Sequence, residues 1–152
     1  MRTLKTLIFV SLFFQMGGTQ AGDLTFTSFN DQITLFSNGK VQSLVISGNS
    51  ESVLIDPINK SNTEEIKNYL RENNKPSITN IIYSHSHWDR LLGSTLFDTK
   101  KHKIISQSAC ELYFTRNNNT DITKPNFYFK KQHTISLEEE EIVLHYLSLI
   151  HI

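Results

Sequence analysis

Apolar and polar positions alternate along the early part of the chain with the two-residue period of β-strands. Leu24-Thr25-Phe26-Thr27-Ser28-Phe29 and Ile33-Thr34-Leu35-Phe36 are rich in aromatic and β-branched residues, and Ser37-Asn38-Gly39-Lys40 has the composition of a turn. Val41 to Ser47 predicts a third strand, which Gly48-Asn49-Ser50 turns into Ser52-Val53-Leu54-Ile55-Asp56. The pattern is that of an antiparallel meander entering a buried strand. Pro57 stops that strand. Ser61-Asn62-Thr63-Glu64 then has the spacing of a capping box, in which Ser61 and Glu64 each satisfy a free amide at a helix start. A helix is expected from there to about Asn73, with Ile66 and Leu70 on one face.

After Pro76 the period changes again. Ile78-Thr79-Asn80-Ile81-Ile82-Tyr83-Ser84 is nearly continuous and predicts a strand buried on both faces of a layered sheet. A short helix is expected over Ser94 to Phe97, a strand over His102 to Ser106 and a helix over Gln107 to Phe114. Asn117-Asn118-Asn119-Thr120-Asp121 reads as a polar loop, Phe127-Tyr128-Phe129 and Ile142 to Tyr146 as strands, and Glu138 to Glu141 as a solvated turn. Strands alternating with helices define an α/β class.

The first residues differ in kind. Arg2 and Lys5 precede the apolar run Leu7 to Phe14, and small and polar residues follow through Ala21. The apolar run is too short for a membrane span of about 20 residues, while Thr19 and Ala21 suit a signal peptidase. Residues 1–21 are therefore expected to be a signal peptide, giving an exported protein, periplasmic or secreted, with no stable membrane anchor after cleavage. No Cys follows the run to accept a lipid.

With 152 residues the chain is of single-domain size. Its 15 Lys and Arg balance 15 Asp and Glu, and no basic cluster stands out, so nucleic acid is not an expected partner. Cys110 is the only cysteine, which excludes an intrachain disulfide, and its helix-like surroundings predict a small buried side chain.

The chemistry concentrates in Ser84-His85-Ser86-His87-Trp88-Asp89-Arg90, directly after the buried strand. Two histidines one residue apart at a strand end can project to the same side, and neutral imidazole is a good zinc donor. Asp89 continues the alternation and adds an oxygen donor. Gly93 follows where the chain must turn into a helix. The loop resembles the His-x-His-x-Asp-His signature of the metallo-β-lactamase superfamily, and the early meander and the strand ending at Asp56 are similar to that family as well.

The resemblance covers about Leu24 to Tyr146 and implies the αββα sandwich, of which this chain would hold roughly the first half. It implies one or two zinc ions, with His85 and His87 binding the first and Asp89 facing a second metal or the nucleophilic water. The chemistry implied is attack of zinc hydroxide on a lactam, lactone, ester or thioester of a small-molecule substrate, with Asp89 as the catalytic carboxylate that orients or deprotonates the water. An iron-dependent oxidoreductase on the same fold and a non-catalytic metal-binding module are the alternatives. Arg90 stands where most of the superfamily has a histidine for the second metal, and a guanidinium cannot ligate. It fits a lactamase-like site, a single-zinc enzyme or decay of the second site. The usual paired glycine is changed to Leu92-Gly93. Asp56 either caps a turn before Pro57 or accepts a hydrogen bond that supports the metal loop. Trp88 either lines the substrate mouth, with Arg90, or packs beneath it.

A catalytic zinc needs at least one further protein ligand. His102, among lysines, and His133, in Lys130-Lys131-Gln132-His133, read as solvated surface residues, and His145 lies inside a strand. His151 belongs to Leu147-Ser148-Leu149-Ile150-His151-Ile152, which matches the translation of CTG TCT CTT ATA CAC ATC, a transposon end common in sequencing libraries. Residues 147–152 are accordingly expected to be an artefactual tail, and 22–146 the amino-terminal part of a metallo-β-lactamase-like domain. On that reading the frame ends before the third ligand. One sheet would then keep an uncovered apolar face, and the fragment itself would be inactive.

Overall fold

The computed structural model describes residues 24–116, 120–138 and 140–147, so the expected signal peptide, His151 and most of the expected tail lie outside the described residues. The alternating segments pair as β1 (Thr25–Ser28), β2 (Ile33–Ser37), β3 (Gln42–Ser47) and β4 (Ser52–Ile55), an antiparallel meander. From β4 onward the sheet is parallel, through β5 (Ile78–Ile82), β6 (Lys103–Gln107) and β7 (Phe127–Phe129). Parallel neighbours need crossovers. Helix α1 (Lys60–Glu72) supplies the first, a 3₁₀ segment (Leu92–Leu96) lies within the second, and α2 (Glu111–Arg116) within the third.

The two-residue period sorts the sheet's faces. Phe36, Val45, Leu54, Ile81 and Ile104 meet Ile66 and Leu70 of α1, Phe97 and Phe114 in one core. Val53, Ile82, Ile105 and Phe129 form a second core on the other face, against Ile135 and Leu137. Those last two belong to a hairpin of β8 (Gln132–Leu137) and β9 (Glu140–His145), turned at Glu138 with φ of 61°. The layers are thus helices, a seven-stranded mixed sheet and the start of a second sheet. Ile33, Leu35 and Leu44, on the hairpin's side of the large sheet, stay only half-buried.

Several expectations change. The capping box is displaced: Asn59 is the N-cap, its side chain accepting from the Asn62 amide at 2.8 Å, while Ser61 lies inside the helix. Asn62, itself buried, accepts from Asn59 at 2.8 Å and from Asn38 at 3.0 Å, which ties the cap to the β2–β3 turn. Asn59→Ala is expected to cost about 1 kcal/mol in urea denaturation, and Ser61→Ala less than about 0.5 kcal/mol. A larger loss at Ser61 would reinstate the capping box.

The solvated turn expected over Glu138 to Glu141 is shorter: Glu138 turns the hairpin, while Glu140 and Glu141 are strand residues. His133 is not a solvated surface residue. It sits half-buried on β8, its ring 4.5 Å from that of Phe127, with Lys103 Nζ 3.3 Å from Nε2. Burial and the Lys103 charge lower its pKa. Cys110 is only partly buried at the edge of the helix-side core.

Candidate metal-binding loop

Parallel strands β4 and β5 end side by side, and the candidate residues leave from that edge. Tyr83, just past β5, is anchored at 2 % exposure: its hydroxyl donates to the Thr123 carbonyl at 2.6 Å, and burial pushes its phenol pKa up. The chain then bends through Ser84 to Ser86 and winds into two 3₁₀ turns, Trp88–Arg90 and Leu92–Leu96. Leu91, fully buried, bridges to Ile58, and the Gly93 amide donates to the Ile58 carbonyl at 3.1 Å. Main-chain contacts therefore fix the loop's far end against the start of α1.

Its near end is fixed by Asp56. The Asp56 amide continues the strand pairing by donating to Ile82 at 2.9 Å, and its φ of 54° is a left-handed conformation that aspartate tolerates better than most residues. Its carboxylate accepts from the Ser84 amide at 2.8 Å and from the Ser84 hydroxyl at 2.5 Å. The same hydroxyl oxygen lies 2.7 Å from His85 Nδ1. Desolvation raises the Asp56 pKa, opposed by the Ser84 bonds and by the nearby His85 and Arg90 charges.

This chain of contacts selects a tautomer. A serine hydroxyl has one proton, and the ionised carboxylate can only accept. With that proton given to Asp56, Ser84 Oγ accepts from His85 Nδ1–H. The lone pair of His85 is then on Nε2, free for a metal. Desolvation also lowers the His85 pKa, favouring the neutral ring that a ligand requires.

His87 lies next to it, the two ring centroids 4.7 Å apart and nearly perpendicular. Asp89 is exposed on the first 3₁₀ turn, Arg90 is half-buried, and Trp88 is 50 % exposed, so it does not pack beneath the loop. The structure thus brings together Asp56, Ser84, His85 and His87. Among the described residues, no three of His, Cys, Asp and Glu converge as a complete metal site. The histidine pair fits as two of the ligands a zinc ion takes. His145 is exposed on β9, and His102 and His133 belong to other surroundings. Ser84 was not marked as a functional residue by sequence reasoning; its place directly before His85 and after a buried strand was the available signal.

The mixed sheet, the helix layer and the histidine loop at the strand ends together have the fold of metallo-β-lactamases. Among solved structures, the chain is similar to a metallo-β-lactamase from Pontibacter korlensis, with a TM-score of 0.67 and 17 % identity over 82 % of this chain and 60 % of that one. It is similar to metallo-β-lactamase IND-7, at TM-score 0.66 and 18 % identity over 84 % and 62 % of the two chains. It also resembles the mono-zinc form of FIM-1 from Pseudomonas aeruginosa, at 0.61 and 14 % identity over 78 % and 57 %. No family model and no curated protein matches the sequence. The chain spans about 60 % of the length of the structures it matches.

Proposed function

We propose that this chain belongs to a zinc-dependent hydrolase of the metallo-β-lactamase superfamily, acting on a lactam, lactone, ester or thioester. The Asp56–Ser84–His85 hydrogen-bond chain beside His87 supports this reading most directly, because a Ser84 hydroxyl that donates to Asp56 is left to accept from His85 Nδ1–H, with the lone pair then on Nε2. His85 and His87 would hold the metal. When bound, zinc supplies Lewis-acid activation of water and of the scissile carbonyl. Asp56 acts through Ser84, orienting His85 and opposing its rotation. Asp89, exposed beside the pair, orients the attacking water or takes its proton, and exposed Trp88 with half-buried Arg90 borders the substrate's approach.

The ring nitrogens provide a test on this chain. Long-range ¹H–¹⁵N correlation spectra are expected to show His85 protonated at Nδ1 before zinc is added, and shifts at His85 Nε2 and at His87 on titration. A His85 protonated at Nε2, or zinc that leaves both rings unshifted, would sink the proposal. In a protein extended to the full length of the sandwich, hydrolysis of a β-lactam, lactone or thioester is expected to stop with a chelator and return with zinc.

A further inference from the structure

A second concave site lies at the opposite end of the sheet. Strand β5 runs from Ile78 to Ile82, so its start and Ser84 are separated by about 20 Å at strand rise. A cavity of about 380 Å³ opens at that start, between the last turns of α1, the end of the Leu92–Leu96 segment and the beginning of β6. The volume is within the range of small-molecule sites.

Its lining divides by chemistry. Leu70, Ile78, Leu96 and Phe97 make an apolar wall, in which Phe97 is 3 % exposed. Lys67, Arg71, Lys75 and His102 contribute cationic or protonatable groups, and among the described residues none that lines the cavity carries a carboxylate. Their partners are mostly neutral. Arg71 donates to Asn68 Oδ1 at 3.1 Å, Lys75 Nζ to the Asp31 carbonyl at 2.5 Å and His102 Nδ1 to the Asp98 carbonyl at 3.0 Å. Among the described residues only Lys67 of these has an acidic partner, Glu64 at 3.5 Å, with both side chains well exposed, a geometry of little strength.

Lys67 and Arg71 are one helical turn apart, where like charges repel. Lys67 Nζ is 5.9 Å from the Phe97 ring centroid, and the His102 ring packs edge-on to Phe97 at 5.2 Å. Positive groups are thus gathered over an apolar pocket without acidic residues in its wall.

We propose that this cavity binds a small amphiphilic carboxylate, its apolar body against Phe97, Leu70 and Leu96 and its anionic head between Lys67 and Arg71. A bidentate guanidinium–carboxylate pair suits Arg71, while Lys67 supplies a point charge. The site needs no metal and stands apart from the histidine loop.

Octanoate is the probe, titrated into the full chain by calorimetry at low salt, with 1-octanol and acetate as partial mimics. Octanoate is expected to saturate one site and to bind at least tenfold tighter than either mimic. Lys67→Gln with Arg71→Gln, both on the helix surface, is expected to weaken it at least tenfold while circular dichroism stays unchanged. Amide shifts are expected at Ile78, Phe97 and His102 and not at His85. Absence of saturable binding, equal binding of 1-octanol, or indifference to the double substitution would each overturn the proposal. So would binding to phosphatidylglycerol vesicles without binding of free octanoate.

Discussion

Gly93→Ala is expected to destabilise the fold by about 3 kcal/mol, the upper end of what overpacking usually costs. A Cβ at Gly93 would fall within the space of the Thr63 hydroxyl and the Pro57 carbonyl, and 2.8 Å from the Asn59 carbonyl. These neighbours cannot swing aside. Thr63 is fully buried and its hydroxyl donates to the same Pro57 carbonyl, while Asn59 is the N-cap of α1. Relief would require moving the start of the helix away from the loop, breaking the Gly93–Ile58 hydrogen bond and the Ile58–Leu91 bridge. Ile58 already has φ of 42°, unusual for a β-branched residue, and these contacts hold it there.

The measurement is urea denaturation or the thermal midpoint, which should drop by about 10 °C or more. Gly39→Ala provides the contrast. Its φ is 83° but nothing lies within 4 Å of the added atom, so only the backbone conformation is penalised, by about 1 kcal/mol. Equal effects of the two substitutions would show that helix start and loop are not packed as described.

Gly93 also illustrates what a sequence conceals. Leu92-Gly93 could be read as a departure from a paired glycine, but the reason for glycine at the second position is a helix start some thirty residues earlier in the chain. The meander was legible because alternation is local and antiparallel pairing needs only short turns. Helix α1 was legible through Ile66 and Leu70, yet its cap was misplaced: Asn59 and Ser61 are both good caps, and the Asn38–Asn62 contact that favours one register is long-range.

Strand β8 escaped because Lys130, Lys131 and the glutamate run frame its four-residue alternation of Thr134, Ile135, Ser136 and Leu137 in charge. The basic cavity escaped for a similar reason. Lys67 lies on α1, Lys75 in the loop after it and His102 in the bend before β6, and each is unremarkable in its own segment. The histidine loop itself was readable because all its donors lie within five residues. The bond from Asp56 to Ser84 was half readable, as a carboxylate at a strand end whose partner only the parallel pairing of β4 and β5 reveals.

That bond bears on the proposed metal site more sharply than a count of ligands does. His85→Ala removes a nitrogen donor outright and is expected to weaken zinc binding by more than about 100-fold in competition titrations, beyond the range usual for residues that only support a ligand. Asp56→Asn leaves both histidines in place. Its single amide oxygen is needed by the Ser84 main-chain N–H, so its NH₂ faces the Ser84 hydroxyl. The hydroxyl then accepts from asparagine, and its own proton is released to turn toward His85 Nδ1, at 2.7 Å. Nδ1 becomes the acceptor, and the ring proton moves to Nε2, the atom meant for the metal. Zinc affinity should fall by about 10- to 100-fold, while the neutral fold loses only about 1–3 kcal/mol. The spectroscopic signature separates this from simple loosening: apo His85 should change from the Nδ1–H to the Nε2–H form in Asp56→Asn, and Ser84→Ala should leave a mixture of the two. If Asp56→Asn loses zinc with the His85 tautomer unchanged, Asp56 acts on the loop's position and not on the proton.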